Sequence, residues 1–131
     1  MKPRVLFLDD DRYEMLGLVE ALEASGMTVE YFSNPDECRT RLGREPAPDL
    51  VITDLLMSTN PETPPTLRRH EGVEFCRSVR EEFGVTCPIL VLTVVSTPSV
   101  HKEVQRFADD ILVKPVVPNE LIRRVRKALS Q

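Results

Sequence analysis

Five short apolar segments punctuate this chain, and four of them end in a residue able to do ionic or hydrogen-bonding chemistry. Val5–Leu8 runs into Asp9-Asp10-Asp11, Leu50–Thr53 into Asp54, Ile89–Leu92 into Thr93, and Ile111–Val113 into Lys114-Pro115. The fifth, Val29–Phe32, ends at Ser33-Asn34 without such a group. At least three of the five lack polar alternation, the pattern of strands buried on both faces. Helical patterns lie between them. Met15, Leu18, Val19 and Leu22 recur at three- and four-residue steps, with Gly26 as a stop. Asn34-Pro35-Asp36-Glu37 offers an N-cap, a proline at the first helical position and an acid at the third. Val73, Phe75, Cys76 and Val79 suggest a third helix, Val100, Val104 and Phe107 a fourth. Leu121, Ile122, Val125 and Leu129 make a fifth, opened by Pro118. Five repeats of strand then helix specify an α/β fold, a doubly wound parallel sheet with helices on both faces.

That topology gives the polar strand ends a meaning. In such a chain they all open on one end of the sheet, so carboxylates, a hydroxyl and an ammonium converge in one crevice. Clustered carboxylates repel and resist ionising unless a divalent cation joins them. The set reads as a magnesium and phosphoryl site. Each member alone has an ordinary reading: acids after a strand cap a helix, and strand ends are polar for solubility. Their joint occurrence after strands one, three, four and five carries the argument.

At these residues the chain resembles the receiver domain of bacterial response regulators, the phosphoacceptor half of two-component signalling. The resemblance rests on Val5-Leu6-Phe7-Leu8-Asp9-Asp10-Asp11, Ile52-Thr53-Asp54, Pro88 to Thr93, and Ala108 to Pro115, and covers nearly the whole chain. It implies a flavodoxin-like sheet in strand order 2-1-3-4-5 and one receiver domain over residues 1–131. It also implies phosphorylation of Asp54 by a histidine kinase or phosphotransfer protein. Mg²⁺ would be held by Asp10, by Asp9 mainly through water, by Asp54 and by the carbonyl of Leu56. Lys114 and Thr93 would each meet a phosphoryl oxygen. The implied protein is a switch acting on an unknown downstream target rather than an enzyme with multiple turnover.

Three positions depart from the family pattern. Val94 stands where a small residue is usual and is expected to narrow access to Asp54. Ile111 replaces a frequent switching aromatic, putting coupling of Thr93 to a rotating ring in question. Phe107 replaces a glycine common before Ala-Asp-Asp, which suggests a repacked turn. A fourth feature is an insertion at about 57–71, where apolar periodicity is missing and Pro61, Pro64 and Pro65 occur. Strand-to-helix loops usually take about 2–6 residues. The stretch from Ser58 to His70 is expected to be mobile, either a lid or partner loop using Arg68 or Arg69, or a tolerated surface insertion.

Other readings are weaker. A haloacid-dehalogenase-like phosphohydrolase would also use Asp9-x-Asp11, but 131 residues leave little room for a substrate cap, and Asp109-Asp110 precedes Lys114. A flavin binder of the same fold would need amides and hydroxyls where three aspartates stand. A receiver-like binding module independent of phosphorylation remains the main alternative. The net charge of −4 and pI near 5.2 argue against a nucleic-acid surface, and the basic Arg123, Arg124, Arg126 and Lys127 read as a solvated helix face. No segment is long enough to span a bilayer. Cys38, Cys76 and Cys87, odd in number and widely spaced, suit buried thiols in a reducing cytoplasm. His70 and His101 have no partner at metal-ligand spacing and read as surface residues.

Overall fold

In a computed structural model that describes residues 2–57, 62 and 64–130, the side chains of 65–70 excepted, strands and helices alternate from end to end. The order is β1 (Arg4–Leu8), α1 (Arg12–Ala24), β2 (Thr28–Phe32), α2 (Pro35–Leu42), β3 (Leu50–Thr53), α3 (Pro65–Glu81), β4 (Ile89–Thr93), α4 (Pro98–Val104), β5 (Asp110–Val113) and α5 (Pro118–Leu129). The strands form one parallel sheet in the order β2-β1-β3-β4-β5. This is the flavodoxin-like arrangement expected from the sequence.

Strand periodicity sorts the core into two layers. Leu6, Leu8, Val51, Ile89 and Val91 face Cys38 and Leu42 of α2, Phe75, Cys76 and Val79 of α3, and Val104 of α4. Val5, Phe7, Leu50, Ile52, Leu90, Leu92 and Leu112 face Met15, Leu18 and Leu22 of α1 and Leu121 and Val125 of α5. Each fully buried side chain of this size stabilises the fold by about 1.5–3 kcal/mol. The central strands β1, β3 and β4, buried along nearly their whole length, are therefore the firmest elements available to carry a site.

Local signals act as expected at most boundaries. Asn34 caps α2, its side-chain oxygen accepting from Asp36 N at 2.8 Å and Glu37 N at 3.3 Å, with Pro35 opening the helix. Helix α1 ends at Ser25, and Gly26 follows at φ +95°, a left-handed turn that favours glycine. The Lys114–Pro115 and Glu45–Pro46 peptides are cis.

Two expectations are corrected. Helix α4 stops at Val104, and Phe107 closes the following turn, its amide donating to Val104 O at 2.9 Å. Helix α3 begins at Pro65, well before the apolar periodicity, so the insertion at about 57–71 is not loop throughout. Pro65 is placed to start a helix, and Thr66 to Glu71 contains no glycine or proline to break one. An apolar stripe is needed to dock a helix and not to extend it. The readings for residues 58–61 and 63, and those for the Arg68, Arg69 and His70 side chains, fall outside the described residues.

Helix α3 crosses the turn after β3 closely at Gly72. A Cβ added at Gly72 would lie 2.1 Å from the carbonyl oxygen of Leu55 and 2.3 Å from its Cα. The obstacle is backbone, so a side chain there must displace either the helix or the turn. Gly72→Ala is expected to lower the unfolding free energy by about 1–3 kcal/mol, measured by urea denaturation. A loss under about 0.5 kcal/mol would mean that α3 slides off Leu55 freely.

Candidate functional site

With this strand order the direction in which strands are added reverses between β1 and β3, and crevices for ligands in open α/β sheets form beyond the carboxyl ends of strands at such a point. Asp9 follows β1 and Asp54 follows β3. Both are still gripped by the sheet. Asp9 N donates to Phe32 O at 3.0 Å, Asp54 N to Leu8 O at 3.1 Å, and Lys114 N to Thr93 O at 2.8 Å. One further ladder hydrogen bond thus fixes each residue one step beyond its strand.

The side chains then converge. Asp9 is 1% exposed and Asp54 4%. The Lys114 ammonium, 7% exposed, donates to Asp9 Oδ2 at 2.8 Å and to Asp54 Oδ2 at 3.1 Å. The remaining oxygens are held by backbone. Asp9 Oδ1 accepts from Asp11 N at 2.9 Å, and Asp54 Oδ1 accepts from Leu55 N at 2.6 Å and Leu56 N at 3.2 Å. Asp10 is exposed at the rim, and Asp11 caps α1 through Glu14 N. Thr93 is fully buried, its Oγ1 accepting from Val95 N at 3.2 Å. Of the residues expected at the site, Asp9, Asp54 and Lys114 touch. Thr93 ends β4, and Leu56 contributes its amide.

The electrostatics follow from two carboxylates sharing one ammonium. Burial raises the Asp9 pKa from 3.8 to about 6, although Lys114 and the Asp11 amide pull it down. Burial also works against the Lys114 ammonium, but Asp9 and Asp54 together outweigh it and hold its pKa above the ordinary lysine value. The lysine gains from two partners while each carboxylate receives part of one charge. Positive charge is in short supply.

That shortage bears on a divalent ion. Among the described residues no three Asp, Glu, His or Cys side chains already form a metal cage. Mg²⁺ requires less, since it usually keeps several waters and takes one or two carboxylates. Two buried carboxylates, with Asp10 adjacent, fit that donor chemistry. A second concavity, about 750 Å³ and lined by Leu42, Arg44, Asp49, Phe83, Val85 and Leu129, opens at the amino end of the strands. It is not the site, because none of the converging strand-end groups line it.

Several contacts escape a sequence reading. The Leu55 and Leu56 amides cradle Asp54, and the Tyr31 hydroxyl donates to the Asp9 carbonyl oxygen. His101, expected at the surface, is half-buried with Nε2 2.6 Å from Val95 O. The thiols fit the expectation of inert cysteines: burial pushes Cys38 and Cys76 up to about 12 and Cys87 to about 11.

Comparison with known proteins points to one family. The family model for the response regulator receiver domain matches residues 5–126. The DNA-binding response regulator MtrA of Mycolicibacterium paratuberculosis is 35% identical over 134 residues, covering 100% of this chain and 53% of the relative. The response regulator MprA of Mycobacterium leprae is 34% identical over 131 residues, covering 98% and 51%. The chain thus spans about half the length of these curated relatives. Among solved structures, a response regulator from Thermotoga maritima has a TM-score of 0.82 at 28% identity, covering 100% of both chains. A putative response regulator from Chloroflexus aurantiacus gives the same TM-score, identity and coverage.

The raised Asp9 pKa makes a pH-dependent prediction for the metal-free protein. A carboxyl whose folded value lies above its unfolded one adds stability that is full below about 3.8 and lost as pH rises through about 6. Asp9→Asn removes that loss. In chelator, the stability of Asp9→Asn relative to wild type is expected to grow by roughly 2–3 kcal/mol between pH 4 and pH 7. A difference that stays flat across this window would show that Asp9 ionises without penalty.

Proposed function

The chain belongs to the response regulator receiver domain family, and from that premise we propose that Asp54 accepts a phosphoryl group from a histidine kinase or a phosphotransfer protein. The observation that carries this reading is the Lys114 ammonium bridging Asp9 and Asp54 at 2.8 and 3.1 Å. Asp54 has one oxygen tied by two amides, so the other points to the cationic side of the pocket as an oriented nucleophile. As its O–P bond forms, the donor's N–P bond breaks. Lys114 is placed to follow the charge from carboxylate to phosphoryl oxygen. Thr93 Oγ1 accepts from Val95 N, which leaves its own proton to donate to a second phosphoryl oxygen. Mg²⁺ held by Asp9, Asp10, Asp54 and the Leu56 carbonyl would neutralise developing phosphoryl charge.

Receiver domains are signalling switches that interact with histidine kinases, and the surface supports docking of such a donor here. The exposed large apolar side chains among the described residues are Tyr13, Leu16, Val94, Val113 and Val117. They come from the start of α1, the ends of β4 and β5 and the segment before α5, all at the carboxyl end of the sheet. A protein donor has to reach Asp54 from that end. No helix among the described residues is long and apolar enough to cross a membrane. Three free thiols, two of them buried, support a cytoplasmic location. The DNA binding in the MtrA name belongs to those longer proteins, and the net charge of −4 gives no reason to carry it onto this chain.

The central test is incubation with acetyl phosphate followed by intact-mass measurement. Wild type with Mg²⁺ is expected to gain one phosphoryl group, and wild type in chelator and Asp54→Asn none. Lys114→Ala is expected to react roughly 100-fold more slowly. Wild type left unmodified after hours with Mg²⁺ would hand the chain to the phosphorylation-independent binding reading. Repeated release of phosphate from a generic ester would instead favour a phosphohydrolase.

Val94 supplies a separate test of access. It follows Thr93 at the carboxyl end of β4 and is 54% exposed, and on this reading its apolar bulk lies where small donors and water approach. Val94→Ala is expected to speed phosphorylation by acetyl phosphate, hydrolysis of the phosphorylated form, or both, by severalfold. Identical rates in the two proteins would place Val94 outside the approach path.

A further inference from the structure

The loop Asp9-Asp10-Asp11 carries three consecutive acids, and self-repulsion opposes any one arrangement of them. Its shape therefore depends on hydrogen bonds from outside. Two come from β2. Asp9 N donates to Phe32 O at 3.0 Å, and the Tyr31 hydroxyl donates to the Asp9 carbonyl oxygen. The second bond reaches furthest. A peptide unit is planar, so holding the Asp9 carbonyl also holds the amide of Asp10 and the direction in which the chain leaves Asp9. The tyrosine is itself restrained. Its ring centroid lies 6.0 Å from that of buried Phe7, and the Arg12 guanidinium lies 5.3 Å above the ring. Burial and the neighbouring negative charge of Asp9 push its hydroxyl pKa up to about 12, so it stays a donor at neutral pH.

The geometry points to Tyr31 as a positioning residue for the acid loop, its hydroxyl fixing the Asp9–Asp10 peptide so that both carboxylates are presented to a divalent cation. This rests on the magnesium-binding reading of the pocket. The competing account is that Tyr31 only fills space between Phe7 and Arg12, which phenylalanine would do equally well.

Tyr31→Phe separates the two, because it keeps the ring and deletes the hydroxyl. Mg²⁺ binding to the full chain is measured by calorimetry, with melting in chelator and amide hydrogen exchange of metal-free protein in parallel. The variant is expected to bind Mg²⁺ roughly fivefold more weakly, the effect of one lost hydrogen bond. Faster exchange is expected at the Asp11 amide, which donates to Asp9 Oδ1, with the sheet amides unchanged. A Mg²⁺ dissociation constant within about twofold of wild type overturns the positioning role. Exchange raised throughout the sheet together with a lower melting temperature overturns it too, in favour of packing. Wild type that binds no Mg²⁺ would overturn the metal reading of the pocket and the positioning role with it.

Discussion

One ammonium is shared by two buried carboxylates, and that contact ties together parts of the chain that lie far apart in sequence. Lys114 meets Asp9 across 105 residues and Asp54 across 60. The lysine follows β5, which is separated from β3 by β4 and from β1 by two strands. Only a sheet with its carboxyl ends in common brings the three together. The pair of acids would be strongly unfavourable without the lysine, since ionised carboxylates removed from water need partners. Conversely, Lys114 could not be buried to this degree without both acids. The contact and the sheet order depend on each other.

The backbone decides how finely these groups are aimed. Asp9, Asp54 and Lys114 each keep one ladder bond beyond the last strand residue, so their Cα positions inherit the register of the sheet. Beyond that point the turn after β3 curls its amides back onto Asp54 Oδ1. Helix α3 lies against the same turn where Gly72 has no side chain. The Asp54 carboxylate is thus oriented at Oδ1 by main-chain groups beside a close helix crossing, and only its Oδ2 relies on a flexible side chain, that of Lys114.

What could be read from the sequence follows the same division. Strand positions were legible to within a residue at each end, as with Ile111–Val113 against β5 at Asp110–Val113, because strands buried on both faces need unbroken apolar runs. Asp9, Asp54 and Lys114 stood out because polar groups at the ends of such runs are few and chemically distinct. The start of α3 was hidden because a polar helical extension lacks the periodicity that marks a docked one. The amide cradle around Asp54 was invisible because every residue but proline has an N–H, so its use leaves no trace in residue identity. Tyr31 was missed for a related reason: an aromatic residue in a strand is expected on β propensity alone. His101 was read as a surface residue because its contact is with a carbonyl, which no spacing rule detects.

On the proposed reading, the charge balance of the pocket has a use. Asp9, Asp54 and Lys114 sum to one negative charge, and Asp10 at the rim makes two. A second buried lysine would relieve Asp9 and stabilise the resting fold. On the proposed reading it would also cancel the deficit that attracts a divalent ion, and the site would then have to expel a cation before reacting. With the deficit kept, a divalent ion brings the pocket near neutrality. Converting the Asp54 carboxylate to an acyl phosphate then adds about one further negative charge. Lys114, freed from Asp54, is the group nearest to meet it. The raised Asp9 pKa has burial as its chief cause, and it marks the cost of keeping two carboxylates out of water with one ammonium between them.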